Sequence, residues 1–186
     1  MTLDVTTPLR RIKPEKHLAQ LTPRARGDLI GVLDIGWHRR PSLMLDTNVY
    51  ILFAAGRLSE SAEELLDTAL VFHCSVCIGE LMAGVANADP GRPSWKTMRD
   101  YYHGLVAQMP DSRILAPDPQ VWAEAGMVAG TLARTQRFQP HQRKECMNDA
   151  LIYLTAAKAG VSVLTANRED FDFIQQVVGT GRFVYL

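Results

Sequence analysis

The chain has 186 residues, with 20 Lys/Arg against 20 Asp/Glu and three cysteines. That length suits one domain, or one domain with an extension. Zero net charge removes gross basicity as a sign of nucleic-acid binding, and three cysteines make a disulfide framework implausible. No apolar run is long enough to span a membrane, and the N-terminus lacks a signal-peptide apolar region, so the cytoplasm is the expected location. The charge is unevenly spread: residues 1–45 hold eight Lys/Arg against four Asp/Glu. A basic arm on an acidic body can meet a polyanion, or can simply be a solvated arm.

Residues 1–20 are basic and carry Pro8 and Pro14, which predicts an irregular segment. Thr22-Pro23 then reads as an N-cap with proline at the first helical position. This predicts a helix to about Ile35, ended by Gly36, with Leu29, Ile30 and Leu33 on its apolar face. Trp37 to Pro41 reads as a linker. Residues 1–42 are thus expected to form a basic N-terminal extension packed on a body made by residues 43–186. Leu43-Met44-Leu45 is a short apolar run that ends on Asp46. It predicts a buried parallel strand handing over to a helix from Thr47 to near Gly56. Asp46 is then either a helix N-cap or a functional acid, because ligands of open α/β sheets sit beyond the carboxyl ends of the strands.

Ser59 predicts the start of another helix, with Leu65, Leu66, Ala69 and Leu70 facing inward. Val71 to Ser75 reads as a second strand and Val76 to about Ala88 as a helix. On that helix Glu80 shares a face with Ala83, Gly84 and Asn87. Asp89-Pro90-Gly91 is a turn. Trp95, Met98, Tyr102 and Leu105 have helical spacing, as core or subunit interface. Arg113 to Ala116 is a short strand candidate. Asp118-Pro119 opens a helix to about Arg137 with Val121, Trp122, Ala125, Val128 and Leu132 as its apolar stripe. Phe138 to Lys144 reads as a polar loop. Arg134, Arg137, Arg143 and Lys144 are candidate phosphate contacts around it. A helix from Glu145 to Lys158 carries Asp149 on the face of Ile152, Tyr153 and Ala156, and Gly160 caps it. Val161 to Thr165 is the last core strand, followed by a helix over 171–178 and an edge strand over 183–186.

Asp46, Glu80 and Asp149 can converge at one end of a parallel sheet. Clustered carboxylates repel one another and favour a cation. Oxygen ligation without Cys or His suits a hard ion, Mg²⁺ or Mn²⁺, which serves phosphoryl chemistry.

Leu45-Asp46-Thr47-Asn48, Ser75 with Glu80-Leu81 and Gly84, Asn148-Asp149 with Ile152, Ala156 and Gly160, and Leu164-Thr165-Ala166-Asn167 with Asp170-Phe171 occur in that order. Together they resemble a PIN-domain ribonuclease, and most of all the VapC-type toxins of bacterial toxin–antitoxin pairs. The resemblance spans about residues 43–186. It implies a three-layer α/β/α sandwich with a mostly parallel central sheet, an endoribonuclease acting with Mg²⁺ or Mn²⁺, and Asp46, Glu80 and Asp149 as the catalytic, metal-holding acids. Thr47, Asn48, Ser75 and Thr165 would support the site. The implied partners are RNA, a cognate antitoxin and a second copy of the chain. Asn167 stands where the family often has a fourth acid. Its carbonyl is one further candidate ligand, and Asp170 or Asp172 is a candidate for the missing carboxylate.

Two other classes compete. With Asn167 in that place, the chain can be a non-catalytic module that binds RNA or a partner. Cys74-Ser75-Val76-Cys77 has redox-pair spacing at a strand-to-helix junction, although small apolar filler in a buried segment is the plainer reading. Zinc would require Cys146, His73 or His141 to be recruited as well.

Overall fold

A computed structural model describes residues 3–35 and 40–186. Its centre is a five-stranded sheet in the order β3-β2-β1-β4-β5. The strands are β1 (Ser42–Leu45), β2 (Leu70–Cys74), β3 (Ile114–Leu115), β4 (Ser162–Thr165) and β5 (Phe183–Tyr185). Every pairing is parallel, with Met44 of β1 opposite Phe72 on one side and Val163 on the other. Leu43, Met44, Val163 and Leu164 are completely buried, as expected for parallel strands covered by helices. The chain runs from β1 outward through β2 and β3, then returns to place β4 on the other side of β1. The crevice beyond the carboxyl ends of β1 and β4 is therefore the topological switch point of the sheet.

The helices are α1 (Thr6–Ile12), α2 (Thr47–Ala54), α3 (Glu60–Thr68), α4 (Ser75–Asn87), α5 (Ser94–Ala107), α6 (Pro119–Thr135), α7 (Pro140–Ala159) and α8 (Arg168–Val178). Their ends follow local chemistry. The Ser59 hydroxyl accepts the Ala62 N–H, and the Asp118 carboxylate accepts the Val121 N–H at 2.9 Å with Pro119 opening the helix. Gly160 ends α7 in the left-handed region at φ 72°. The middle of α7, from Ala150 to Ala156, is buried on every face. That is the signature of a helix enclosed by other elements rather than lying on a surface.

Several expectations change. The helix foreseen over 22–35 does not form. Arg26–Asp28 and Val32–Asp34 are single 3₁₀ turns, and Leu33 is 83% exposed. The segment spends its polar groups on the body instead: the Ile30 carbonyl accepts the Tyr185 N–H at 3.0 Å. Gly31 forms a parallel bridge to Tyr185, extending the sheet past β5. The foreseen stop at Gly36 and most of the linker over 37–41 lie outside the described residues. Residues 6–12, expected to be irregular, form α1, because the Asp4 carboxylate accepts the Thr6 and Thr7 N–H groups. The polar loop over 138–144 is largely helical. Pro140 opens α7, and Gln139 and Gln142 form a reciprocal cap at its start. α8 begins at Arg168, three residues earlier than expected, capped by Asn167. Trp122 is 51% exposed, one position round from the buried stripe of α6. None of the α5 stripe is fully buried, although the Trp95 ring N–H donates to the Val85 carbonyl at 3.1 Å. Leu70 is an exposed first residue of β2 rather than an inward helical one. Among the described residues no helix is long and apolar enough to cross a membrane.

Candidate functional site

β1 delivers Asp46 to the switch point. Its side chain is both a cap and a site group. Oδ1 accepts the Thr47 N–H at 2.7 Å, closing the first turn of α2. Oδ2 accepts the Thr165 hydroxyl at 2.6 Å and the Asn48 amide. Thr165, the last residue of β4, is fully buried, and its Oγ1 also accepts the Asn167 N–H at 2.8 Å. Asn48 then accepts the Ala166 N–H on its carbonyl oxygen. Asn48 and Thr165 thus join the ends of β1 and β4 and hold the Asp46 carboxylate at a fixed angle.

Glu80, five residues along α4, is held by both oxygens. Oε2 accepts the Thr47 hydroxyl, and Oε1 accepts the Asn148 amide of α7 at 2.6 Å. Asp149, next to Asn148, accepts the Asn167 amide at 3.3 Å. The same amide donates to Asp170 at 2.7 Å. Three strand ends and the helices α4, α7 and α8 therefore place Asp46, Glu80, Asp149 and Asp170 around one crevice.

The charges in this crevice are poorly balanced. Burial raises the Asp46 carboxyl to about 6, and the Glu80 charge adds to the rise despite three hydrogen bonds that oppose it. Asp149 is held well above the ordinary carboxylate value, first by burial, then by Asp46, Asp170, Glu80 and Glu145. Among the described residues none of Asp46, Glu80, Asp149 and Asp170 forms an ion pair with Lys or Arg. One buried and three half-buried acids, without a paired cation among the described residues, are a donor set suited to a hard divalent ion. In the conformation described, however, no group of three or more His, Cys, Asp or Glu side chains among the described residues is assembled closely enough to hold a metal ion. Thr47, Asn148 and Asn167 occupy the carboxylate oxygens instead.

The other foreseen residues divide. Thr47, Asn48 and Thr165 are in the network. Ser75 opens α4 and is half-buried, with no hydrogen bond to the acids among the described residues. Arg134, Arg137, Arg143 and Lys144 are exposed. Arg134 donates to the Pro14 carbonyl at 2.8 Å and Arg143 to the Phe138 carbonyl at 3.0 Å. Both line a cavity of about 430 Å³ between α6 and α7, with Ala129, Gly130 and Ala133. Lys144 lies one helical turn before Asn148. Asp172 is not a spare site acid. It is fully buried and pairs with Arg24 at 2.5 Å. Its place in α8, two residues after Asp170, turns it to a different side of the helix. Cys74, Cys77 and Cys146 are free and buried, and the Cys77 thiol donates to the Leu45 carbonyl, which fits the filler reading. Two functional neighbours were not foreseen as such. Asn148 anchors Glu80, and Glu145 adds charge near Asp149. The four-residue spacing of Glu145 and Asp149 was the available signal, since it puts both on one helical face.

The PIN domain family model matches residues 43–175. Solved structures share the fold. VapBC2 from Rickettsia felis, bound to a DNA fragment from its promoter, aligns with a TM-score of 0.56 and 15% identity, over 77% of this chain and 98% of that one. DNA-bound VapBC from Salmonella typhimurium gives 0.56 and 21%, over 78% and 98%. FitAcB from Neisseria gonorrhoeae gives 0.56 and 22%, over 77% and 96%. No curated protein matches the chain.

Proposed function

The chain belongs to the PIN-domain family, and from its acidic crevice we infer that it acts on RNA as the toxin-like member of a toxin–antitoxin pair. A cognate antitoxin and a second copy of the chain are its proposed protein partners. Residues 43–186 are the proposed RNA-acting domain, and residues 1–42 a basic extension. Support for the partnership comes from the fold shared with VapBC and FitAcB complexes.

Within that role, the conformation described matches an RNA- or partner-binding module more closely than a loaded enzyme. The observation that carries this is the absence, among the described residues, of an assembled three-ligand group. Neutral donors fill the carboxylate oxygens. The second reading is a Mg²⁺- or Mn²⁺-dependent endoribonuclease, and a different observation favours it: Asp46 is raised by burial and by Glu80, Asp149 by burial and by Asp46, Asp170 and Glu80, and among the described residues no Lys or Arg pairs with them. Asp46, Glu80 and Asp149 would hold the ion, with Asn167 and Asp170 beside them. When bound, such an ion lowers the pKa of water and offsets charge on a phosphoryl group. Thr165 and Asn48 fix the direction of the Asp46 carboxylate. Thr47 and Asn148 fix Glu80. Lys144 and Arg143, at the exposed start of α7, are the proposed contacts to RNA phosphates, with Arg134 and Arg137 flanking them.

One experiment separates the readings. Total RNA is incubated with the purified chain, freed of any co-purifying partner, with Mg²⁺, Mn²⁺ or EDTA, beside Asp149→Asn. RNA retention without fragments in every condition is the result expected of the binding module. Discrete fragments seen only with metal and only in the natural sequence establish the endoribonuclease. Neither retention nor fragments overturns both the endoribonuclease and the RNA-binding module.

A further inference from the structure

Among the described residues Asn167 is the one side-chain amide that reaches two acids of the crevice. Its Nδ2 donates to Asp170 at 2.7 Å and to Asp149 at 3.3 Å. The backbone fixes it there. Its own N–H is held by the Thr165 hydroxyl at 2.8 Å, and its carbonyl oxygen faces the Asp170 N–H as the cap of α8. With the oxygen committed to the helix, the NH₂ end must face the carboxylates. A partly positive amide thus sits between two negative groups, in the place where a bridging cation would otherwise offset their repulsion.

We propose that Asn167 lowers the cation capacity of this crevice by one. This rests on the cation-binding reading of the same site. An aspartate at 167 would preserve the α8 cap, since Asp caps as well as Asn. It would replace the bridging donor by a third acid beside Asp149 and Asp170. Among the described residues no Lys or Arg pairs with that acidic set, so it favours an ion. Asn167 therefore distinguishes this chain from one with acids throughout. It lets the crevice persist without a second ion, and it fits the unassembled geometry of the site.

The test counts Mn²⁺ by titration calorimetry and by electron paramagnetic resonance of free Mn²⁺. The natural chain is compared with Asn167→Asp and with the double variant Asn167→Asp/Asp170→Asn. The expected result is one more Mn²⁺ per chain in Asn167→Asp, and its loss again in the double variant. Equal uptake by natural chain and Asn167→Asp overturns the proposal. If that shared uptake is one ion, the endoribonuclease reading stands while the role of Asn167 falls. If the natural chain takes up none and Asn167→Asp takes up one, the role of Asn167 holds and cation-dependent cleavage by the natural chain falls. Should Asn167→Asp fail to fold by circular dichroism, Asn167→Ala replaces it. Removal of the competing donor is then expected to tighten Mn²⁺ binding about tenfold, the equivalent of one charge-assisted hydrogen bond. Unchanged or weaker binding overturns the proposal.

Discussion

Two aspartates are shut inside this protein and are treated in opposite ways. Asp172 is fully buried, and the Arg24 side chain meets one of its oxygens while the Arg24 N–H meets the other at 2.7 Å. Asp46 is 3% exposed, yet it meets only neutral donors, with other carboxylates behind them. The first charge is neutralised by the chain itself. The second meets no Lys or Arg among the described residues. Burial therefore does not tell a structural acid from a functional one; the sign of its neighbours does.

The strongest test of this contrast is the dependence of stability on pH. The folded Asp46 carboxyl lies at about 6 against an ordinary 3.8. A raised folded value means that the native state holds the proton more tightly than the unfolded chain. The stability from this group is complete below about pH 4 and is lost as pH rises through 6, a change on the order of 3 kcal/mol. Asp149, also raised, adds in the same direction. Denaturant unfolding at intervals from pH 4 to 7.5 is expected to show this loss in the natural chain without added metal. The loss should be smaller in Asp46→Asn, whose side chain does not titrate. Identical slopes for the two proteins would show that Asp46 is already neutralised within the fold, and the contrast with Asp172 would fail.

The next effect comes from the other aspartate. Arg24→Met keeps much of the volume but removes the charge from Asp172. Breaking a buried pair costs several kcal/mol, but the Arg24 side chain is 36% exposed. The pair is therefore partly screened by solvent. About 2 kcal/mol is the expected loss, read as a lower denaturant midpoint at unchanged slope. RNA retention should be unaffected, because Arg24 contacts the 172–175 side of α8 rather than the crevice. A variant as stable as the natural chain would show that the pair contributes nothing and that Asp172 tolerates isolation.

The same contrast explains what was legible from sequence. Asp46 is legible because it ends an apolar strand, and Glu80 and Asp149 because helical periodicity sets the face each one occupies. Asp118-Pro119, Ser59 and Gly160 marked helix ends through local chemistry that the fold preserves. The leading segment misled for the opposite reason. Thr22-Pro23 satisfies the local rule for a helix start, but Arg24 and Ile30 are drawn to Asp172 and Tyr185, more than a hundred residues away. Such a partner leaves no trace in local periodicity. Asp172 was misjudged for the same reason, since its pairing with Arg24 is visible only once α8 and the arm are folded together. At Pro140 the error was different. The local helix-start signal is present, but the run of polar residues after it has the composition of a loop.

The smallest effect concerns how many donors the structural aspartate needs. Besides Arg24, the Gln176 amide donates to Asp172 at 3.1 Å and also to the Thr22 carbonyl at 3.1 Å. Gln176→Ala removes both bonds but leaves the guanidinium in place. A hydrogen bond to a charged group contributes more than one between neutral groups, but here the charge keeps its main partner. A loss of about 1 kcal/mol is expected. In the double variant with Arg24→Met the loss should exceed the sum of the single losses, because Asp172 would then lack both its cation and its side-chain amide donor and keep only the residue-24 backbone N–H. Simple additivity in that cycle would mean that the two donors act independently. The arm would then be held to α8 by separate contacts rather than by one neutralised charge, and the distinction from the shared network around Asp46 would have to rest on electrostatics alone.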